Sequence, residues 1–318
     1  MYPSYLKAYH NGHLDELVKK AFSLLECCSI CPRKCKVNRL KDEKGFCKTG
    51  RLARVCSFMP HHGEEPPVSG RNGSGTIFFS GCNMACAYCQ NYEFSQEGQG
   101  KEVDSEQLAQ FMLELQNLGC HNINLVTPTH LMPQILSALN IAIPLGLKIP
   151  LVYNTSGYEL AGILELLEGI VDIYLPDMRY SDNKVAVKYS QAPDYPKYNQ
   201  QAVKEMQRQV GVAEIDSTGI IIRGLIVLHL VLPGGLSGTK EIMQFLSEEI
   251  SVDTYISLMS QYSPYYKAPG IKEISLKISY QEYEEAKGIM ERFGLYNGWT
   301  QDSGGLERFA GVHIKPVI

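Results

Sequence analysis

With 318 residues, the chain has room for one large α/β domain and a small additional region, because single hydrophobic cores seldom grow beyond about 250–300 residues. Its 30 Lys and Arg against 34 Asp and Glu give a formal net charge of -4, and no basic run indicates nucleic-acid binding. An N-terminus without the apolar run of a secretion signal predicts the cytoplasm, where the ten cysteines are expected to be reduced ligands.

Residues 1–75 contain few strand signals and are predicted to form a small Cys-rich metal-binding cap. One amphipathic helix is expected near the start, where apolar side chains recur at helical spacing: Leu14, Leu17, Val18, Phe22 and Leu25. The rest of the region is rich in Cys, Pro and Gly, which are typical of irregular structure.

Five cysteines of this cap lie close together in the chain. Two, three and eleven residues separate the members of the set Cys28, Cys31, Cys35 and Cys47. Short turns at such spacings bring thiolates around one ion or cluster. Four thiolates suffice, so either Cys27 or Cys28 is expected to be spare. A tetrahedral zinc ion and an auxiliary iron–sulfur cluster are both compatible with these ligands, and unmetallated cysteines are the alternative.

The segment HHGEEPPVSG, at 61–70, comes just before the first barrel strand. Its histidines and carboxylates are placed to line a functional site from the side opposite the barrel. A solvated linker rich in Pro and Gly is the alternative interpretation.

From residue 76 onward, short apolar runs alternate with helical patterns. The runs are TIFFS, NINLVTP, IPLVYN, VDIYLPD, GLIVLHLVLP and TYISLM. Helical patterns lie near 105–118, 129–146, 158–168, 183–210 and 238–250, and Asp104 with Gln107 predicts a capping box for the first. Such alternation predicts an α/β fold with parallel strands, and six units indicate a partial barrel over 76–264.

Residues 265–318 are predicted to form a C-terminal extension. A helical pattern at 280–294 precedes a Gly-rich end, and we expect this part to pack over the barrel opening. The longest apolar stretch, Ile135–Val152, contains Asn140, Pro144 and Lys148, so it predicts a helix and a buried strand and argues against a membrane span.

Three further cysteines directly follow the first barrel strand. Cys82, Cys86 and Cys89 occupy eight residues of one loop, at the end of the barrel where chemistry is expected. Cubane clusters are normally held by four thiolates, so three would leave one iron free to accept a substrate. Buried free cysteines, or part of a zinc site, are the alternatives.

The C-x3-C-x2-C spacing, with Tyr88 before the last Cys, resembles the signature of the radical SAM superfamily. The segments CSICPRKC, HHGEEPPVSG, GSGTIFFSGCNMACAYCQNYE, NLVTPTH, VYNTSGY, VDIYLPDMRY and SLMSQYSP resemble the pyruvate formate-lyase activating enzyme-like subgroup over nearly the whole chain. The resemblance implies a [4Fe–4S] cluster on Cys82, Cys86 and Cys89. It also implies S-adenosylmethionine (SAM) chelated to the unique iron, with Tyr88 against the adenine. A core tyrosine is the alternative for Tyr88.

Polar residues at the later strand ends are expected to bind the amino, carboxylate and ribose groups of SAM. They are Thr127, Thr129, His130, Asn154, Ser156, Asp177, Arg179 and His229, and Gln261 or Tyr262 is expected near ribose or substrate. Helix capping is the alternative for Thr129 and Ser156, and a surface ion pair is the alternative for Asp177 with Arg179. A satisfied core histidine is the alternative for His229.

The chain departs from the family pattern at three of these places. Thr127-Pro-Thr-His130 stands where many radical SAM enzymes carry Gly-Gly-Glu. Arg179 stands in place of the Lys of the activases' Asp-x-Lys segment, and Arg and Lys are not interchangeable. Leu228 stands where an Arg would be expected, which weakens the implied contact with the SAM carboxylate.

Three functions follow from these patterns. The first is a radical SAM enzyme that forms a 5′-deoxyadenosyl radical and activates a glycyl radical enzyme, with an electron donor such as flavodoxin or ferredoxin. The second is radical SAM modification of another peptide or a small molecule. The third is a non-catalytic metal-binding protein, which would carry zinc.

Overall fold

The computed structural model describes residues 2–301, and the Gly-rich end of the predicted extension, 302–318, lies outside the described residues. Within the described part, one sheet of ten strands runs through the molecule. The strands are β1 (Ala53–His61), β2 (Ser74–Phe79), β3 (Lys101–Val103), β4 (Ile123–Val126), β5 (Leu151–Thr155), β6 (Ile173–Pro176), β7 (Glu214–Ile215), β8 (Ile221–Leu230), β9 (Tyr255–Met259) and β10 (Gly298–Thr300).

The spatial order of the strands is β10-β9-β8-β6-β5-β4-β2-β1-β3, with β7 paired to β8. Strands β2, β4, β5, β6, β8, β9 and β10 are parallel to their neighbours within this set. The two end strands of the path do not pair, so the barrel is open. The six strands predicted from the sequence are therefore confirmed, and β10 adds a parallel strand from the C-terminal extension.

Helices connect the strands. They are α1 (Tyr5–His10), α2 (His13–Ser23), α3 (Pro66–Ser69), α4 (Tyr92–Ser95), α5 (Ser105–Asn117), α6 (Met132–Ala142), α7 (Ala161–Leu164), α8 (Asn183–Ser190), α9 (Tyr195–Val210), α10 (Thr239–Phe245) and α11 (Tyr280–Arg292). Among the described residues, no helix has the length and apolar character needed to cross a membrane.

Helix α5 shows how a local pattern defines an element. The Asp104 side chain accepts a hydrogen bond from the Gln107 backbone at 2.8 Å, and the Gln107 side chain accepts one from the Asp104 backbone at 3.1 Å. This capping box satisfies two backbone donors that the first helical turn leaves free. Leu108, Met112 and Leu115 then recur on one buried face.

Two predictions about elements were wrong. The first 75 residues are not poor in strands, because β1 is a nine-residue strand that pairs antiparallel with β2. The helical pattern at 183–210 is two helices, since Gln191 and Asp194 adopt positive φ angles of 50° and 58° on either side of Pro193. The predicted cap therefore shares its sheet with the barrel.

The concave face of the barrel is filled by α3. Along β5, Leu151 and Tyr153 belong to the core between sheet and helices, whereas Val152 faces the opposite side. Val152 shares an apolar cluster with Val68 of α3, together with Ile173, Leu175, Ile226 and Leu228. We call 62–70 the plug segment, because its helix lies against the inner faces of the parallel strands.

Helix α11 packs against α10, on the outside of the barrel, and the Tyr283 hydroxyl donates to the Leu258 carbonyl of β9 at 2.8 Å. The stretch before α11 takes a different course. The Lys267 backbone donates to the Ala87 carbonyl at 2.9 Å, beside the cysteine loop. This stretch, and not the helix, lies at the barrel opening.

Candidate functional site

A cavity of about 220 Å³ opens at the carboxyl ends of the parallel strands. Loops after β2, β4, β5, β6 and β9 contribute to its lining, and so do the end of β8 and the plug segment. In parallel α/β barrels this end of the strands is where catalytic side chains collect. The cavity is therefore the candidate active site.

The cysteines after β2 all line this cavity: Cys82, Cys86 and Cys89. Each thiol faces a polar group. The Met84 backbone donates to Cys82 at 3.4 Å, Ser190 Oγ lies 3.0 Å from Cys86 Sγ, and Ser95 Oγ lies 3.2 Å from Cys89 Sγ. Thiolates need such donors when they are buried.

Burial raises the pKa of Cys82 to about 12, and the nearby Cys86 adds to the rise. Burial likewise raises the pKa of Cys89 to about 11. Without a metal, these thiols would hold their protons, and metal binding would displace them. Three such thiols on one cavity, each beside a polar group, fit the three-cysteine ligation of a cubane cluster.

Asp177 and Arg179 form an ion pair on the cavity wall. Arg179 Nη2 lies 2.5 Å from Asp177 Oδ2, and Arg179 Nη1 lies 3.9 Å from Cys86 Sγ. The Asp177 side chain is 13% exposed and that of Arg179 is 24% exposed. The alternative of a solvated surface pair is therefore wrong, and the guanidinium faces one of the three thiols.

The plug segment places two carboxyl groups in the same cavity, Glu64 and Glu65. Asn154 donates from Nδ2 to Glu64 Oε2 at 3.2 Å, and the Oε2 atom of Glu65 is buried without a partner in the part of the chain that the structure describes. Burial raises the pKa of Glu64 to about 8, and the neighbouring Glu65 carboxylate adds to the rise. The cavity wall is consequently rich in acidic groups.

Tyr88 lies on the cavity wall and is anchored at its far end. Its hydroxyl is 2.6 Å from the Tyr180 hydroxyl, and its ring makes an edge contact with Tyr262 at a centroid distance of 5.5 Å. The ring is thus held in one position beside the cysteine loop. Its contact with adenine stays a prediction.

Five of the predicted SAM-binding residues at the later strand ends lie on the cavity: Thr127, Asn154, Ser156, Asp177 and Arg179. Gln261 and Tyr262 lie there too, as does Leu228. Ser156 is nearly buried, with its hydroxyl 3.5 Å from Asn83 Oδ1. The structure therefore brings together side chains from five parallel strands, β4, β5, β6, β8 and β9.

Contrary to our expectation, Thr129 and His130 do not line this cavity. Thr129 is buried, with its hydroxyl 2.5 Å from Glu159 Oε1. His130 is buried against the Ser80 carbonyl at 2.9 Å, and burial lowers its pKa to about 4. Both side chains therefore make their contacts outside this cavity.

His229 also lies away from the cavity. Its Nδ1 is 2.7 Å from the Met178 carbonyl, and its Nε2 is 3.0 Å from Thr239 Oγ1. Burial lowers its pKa to about 4, so the ring is neutral at physiological pH. The alternative of a satisfied core histidine describes this residue correctly.

The N-terminal cysteines meet in a second, small cavity. Its lining includes Cys28, Cys31, Cys35 and Cys47, whereas Cys27 is exposed and takes no part. Of the adjacent pair, Cys28 lines this cavity and Cys27 lies outside it. His130 lines this second cavity as well.

The sequence pattern predicted that the carboxylates of the plug segment line a functional site, but it gave no contact for Glu64 or Glu65. The available signal was a pair of adjacent carboxylates just before a barrel strand, and that pattern also describes a solvated linker. Glu64 and Asn154 are 90 residues apart in the chain, so no local sequence pattern predicts their contact.

Comparison with known proteins places these features in a family. The model of the radical SAM superfamily matches residues 76–225. The uncharacterized protein MJ0674 of Methanocaldococcus jannaschii is 31% identical over 294 residues, covering 89% of this chain and 79% of that protein.

Two solved structures are similar at low sequence identity. Streptococcus suis SuiB bound to S-adenosylmethionine matches with a TM-score of 0.47 and 14% identity, over 70% of this chain and 48% of SuiB. The FeFe-hydrogenase maturase HydG from Carboxydothermus hydrogenoformans matches with a TM-score of 0.49 and 13% identity, over 71% of this chain and 52% of HydG. This chain thus spans about half the length of each.

Proposed function

The chain belongs to the radical SAM superfamily, and from this premise we propose that it cleaves SAM reductively to abstract hydrogen from a further substrate. The observation that carries the proposal is that Cys82, Cys86 and Cys89 line one cavity at the strand ends. They would hold a [4Fe–4S] cluster. When bound and reduced, that cluster supplies the electron that splits SAM into methionine and a 5′-deoxyadenosyl radical.

The chain's own residues would position SAM and exclude water. Ser190 and Ser95 hold hydroxyl groups against the Cys86 and Cys89 sulfurs. Arg179 brings a fixed positive charge to the cysteine loop, and a guanidinium binds carboxylates in a planar fork. This geometry supports a contact between Arg179 and the SAM carboxylate.

Acidic groups of the plug segment suit the positive charge of SAM. Glu64 and Glu65 face the cavity from the plug segment, and Asn154 orients Glu64. SAM carries a sulfonium cation, which buried carboxyl groups favour, and its amino group can donate hydrogen bonds to carboxyl oxygens. Glu64 and Glu65 would bind the SAM amino group in place of the Gly-Gly-Glu segment, which this chain lacks.

The target of the radical has two candidates. Asp177 and Arg179 resemble the Asp-x-Lys segment of activases, which supports hydrogen abstraction from a glycine of a glycyl radical enzyme. Leu228 and the Thr127 segment depart from that pattern, which favours another peptide or a small molecule. An electron donor such as flavodoxin or ferredoxin would serve either reaction.

We test the cleavage reaction with anaerobically reconstituted wild type, Cys86→Ala and Cys120→Ala. Cys120 is a buried thiol of the main core, away from both cavities, so it is a matched control. With SAM and dithionite, wild type and Cys120→Ala should release 5′-deoxyadenosine, and Cys86→Ala should not. Zinc without iron and sulfide in the wild type would instead support a non-catalytic metal-binding protein.

The same reaction mixture distinguishes the two targets. Added glycyl radical enzymes of the host should give a glycyl-radical doublet by electron paramagnetic resonance if the chain is an activase. A rise in 5′-deoxyadenosine with added peptides or small molecules, and no protein radical, would favour the other target.

We also propose that Cys28, Cys31, Cys35 and Cys47 bind a metal centre of their own. Their shared cavity and their spacing support this proposal.

A further inference from the structure

The second cavity gathers four thiols from one short stretch of chain. Cys28, Cys31 and Cys47 are buried, and Cys35 is half-buried. Cys35 accepts a hydrogen bond from the Phe46 backbone at 3.4 Å, and a Cβ at Gly45 would lie 2.8 Å from the Cys35 sulfur. A side chain at position 45 would therefore press on this thiol, so glycine leaves the sulfur room to act as a ligand.

A fully buried arginine lines this cavity beside the thiols. Arg39 is 0% exposed, and it donates to the Gly50 carbonyl at 3.1 Å and the His130 carbonyl at 2.8 Å. Its Nη2 has no hydrogen-bond partner, and no carboxylate of the described residues forms an ion pair with it. A buried charge is costly unless an opposite charge accompanies it. An anion bound in this cavity would compensate the charge of Arg39.

A second arginine completes the wall. Arg33 lines the cavity, its guanidinium lies 3.6 Å from the centre of the Phe46 ring, and its Nη2 is also buried without a partner in the described part of the chain. Its Nε donates to the Asn83 carbonyl at 2.8 Å. Asn83 follows Cys82, so one side chain joins the second cavity to the cysteine loop of the first.

From these contacts we infer that Cys28, Cys31, Cys35 and Cys47 hold a second iron–sulfur cluster. A centre bound by four thiolates is anionic, which accounts for the buried guanidinium of Arg39 and the half-buried one of Arg33, neither of which forms an ion pair with a carboxylate of the described residues. Free N–H groups of Arg33 and Arg39 would donate to its sulfur atoms, and such hydrogen bonds tune cluster potentials.

The unpartnered donors around the cavity favour a cluster over zinc. Tetrahedral zinc offers only its four thiolate sulfurs as acceptors. A [4Fe–4S] cube adds four sulfides. The Nη2 atoms of Arg33 and Arg39, both buried without a partner in the described part of the chain, would each donate to such a sulfide.

The inference is tested on the full chain with Cys82, Cys86 and Cys89 all changed to Ala, purified and reconstituted anaerobically. About four iron and four sulfide per chain should remain, with the electron paramagnetic resonance signal of a reduced cluster. Wild type should hold about eight of each. Zinc in place of iron, or no metal at all, would overturn the inference.

A pair of neighbouring variants tests the ligands without disturbing the barrel cysteines. The double variant Cys28→Ala with Cys31→Ala leaves two thiols at the second site, so it should lower the iron of the wild type from about eight to about four per chain, and Cys27→Ala should leave about eight. Equal iron in the two variants would contradict the assignment. If the double variant fails to fold, Arg39→Gln provides a second measurement.

Arg39→Gln removes a cation beside the cluster, so the midpoint potential of the second cluster should become more negative. An unchanged potential would contradict the charge argument. These readouts are independent of SAM cleavage. An inactive protein that holds both clusters would count against the proposed function alone, and an active protein with only one would count against this inference alone.

Discussion

Arg179 carries a guanidinium between the Asp177 carboxylate and the Cys86 thiol. The ion pair with Asp177 fixes one side of the fork at 2.5 Å, and the other side approaches Cys86 at 3.9 Å. The Nε atom is buried without a hydrogen-bond partner in the described part of the chain. A planar group held in this way keeps one of its donors unused, in a residue that lines the cavity.

Replacing Arg179 by Ala should lower the rate of SAM cleavage by about 10- to 100-fold, because an orienting charge beside the cluster is lost. Arg179→Lys should fall between Ala and wild type, since Lys keeps the charge but not the fork. The measurement is 5′-deoxyadenosine formed per cluster, with iron content checked to be unchanged.

The matched control for this prediction is Arg208→Ala. Arg208 is also paired with carboxylates, but it lies on an exposed surface, 2.8 Å from Glu168. Its loss should leave the rate unchanged. Equal rates for Arg179→Ala and wild type would show that the Asp177–Arg179 pair has no part in cleavage.

At the residue scale, the sequence predicted correctly which chain segments reach the site. It predicted less well which side chains of those segments line the cavity. Thr127 and Thr129 stand two residues apart after β4, yet only Thr127 lines the cavity. His229 lies one residue after Leu228, and alternation along the strand turns it to the other face. Side-chain direction depends on where the strand sits in the sheet, and spacing alone did not supply it.

At the scale of elements, the plug segment is an unusual use of a short helix. Val68 of α3 is fully buried among apolar side chains of the inner barrel face, including Val152 and Ile226. Pro66 begins the helix, and Pro is well tolerated in the first turn, where no backbone donor is needed. The same segment carries Glu64 and Glu65 to the cavity, so packing and site are coupled here.

Val68→Ala should reduce the free energy of unfolding by about 2 kcal/mol, since it removes buried methyl groups and leaves a cavity. The measurement is urea denaturation of cluster-loaded protein under anaerobic conditions. Val252→Ala is the control, because Val252 is 51% exposed and should change stability by less than about 0.5 kcal/mol. Equal stability of the two variants would mean that the plug segment contributes little to packing.

Strand β1 was not predicted from the sequence, and the reason is physical. Its sequence includes Arg54, Ser57 and Pro60, which interrupt an apolar pattern. Pro60 cannot donate to a ladder, but β3 pairs only with Ala53 to Val55, so the later part of β1 lies on a free edge. An edge tolerates proline, and only the sheet topology reveals that the strand is there.

At the scale of the whole molecule, the cap, the barrel and the described part of the extension share one sheet. Strand β1 joins the N-terminal region to β2, and β10 joins the extension to β9. The N-terminal helix α2 packs against α6 of the barrel. Arg33 and Arg39 add contacts from the cap to the cysteine loop and to His130.

We therefore expect the cluster-loaded protein to unfold in one transition. Trp299, the single tryptophan, lies on β10 against Tyr255 and reports the edge of the sheet farthest from β1. Urea midpoints from Trp299 fluorescence and from far-UV circular dichroism should coincide. A loss of dichroism before the change in fluorescence would show that the N-terminal region unfolds separately.

The sequence by itself determined the parallel strands of the barrel, the capped helix α5 and the two sets of cysteines. These features are local: alternating apolar runs, a capping box and short thiol spacings are each written within a few residues. Their physical causes, backbone hydrogen bonding and burial of one face, act over the same short range.

Only the tertiary structure decided which side chains share the first cavity and which N-terminal cysteine lies outside the second. Glu64 meets Asn154 across 90 residues, and Arg33 reaches Asn83 across 50. Such contacts arise because parallel strands align their carboxyl ends and the plug segment enters the concave face. That long-range packing determines which group each charged side chain contacts and whether the side chain is buried. No local sequence pattern does so.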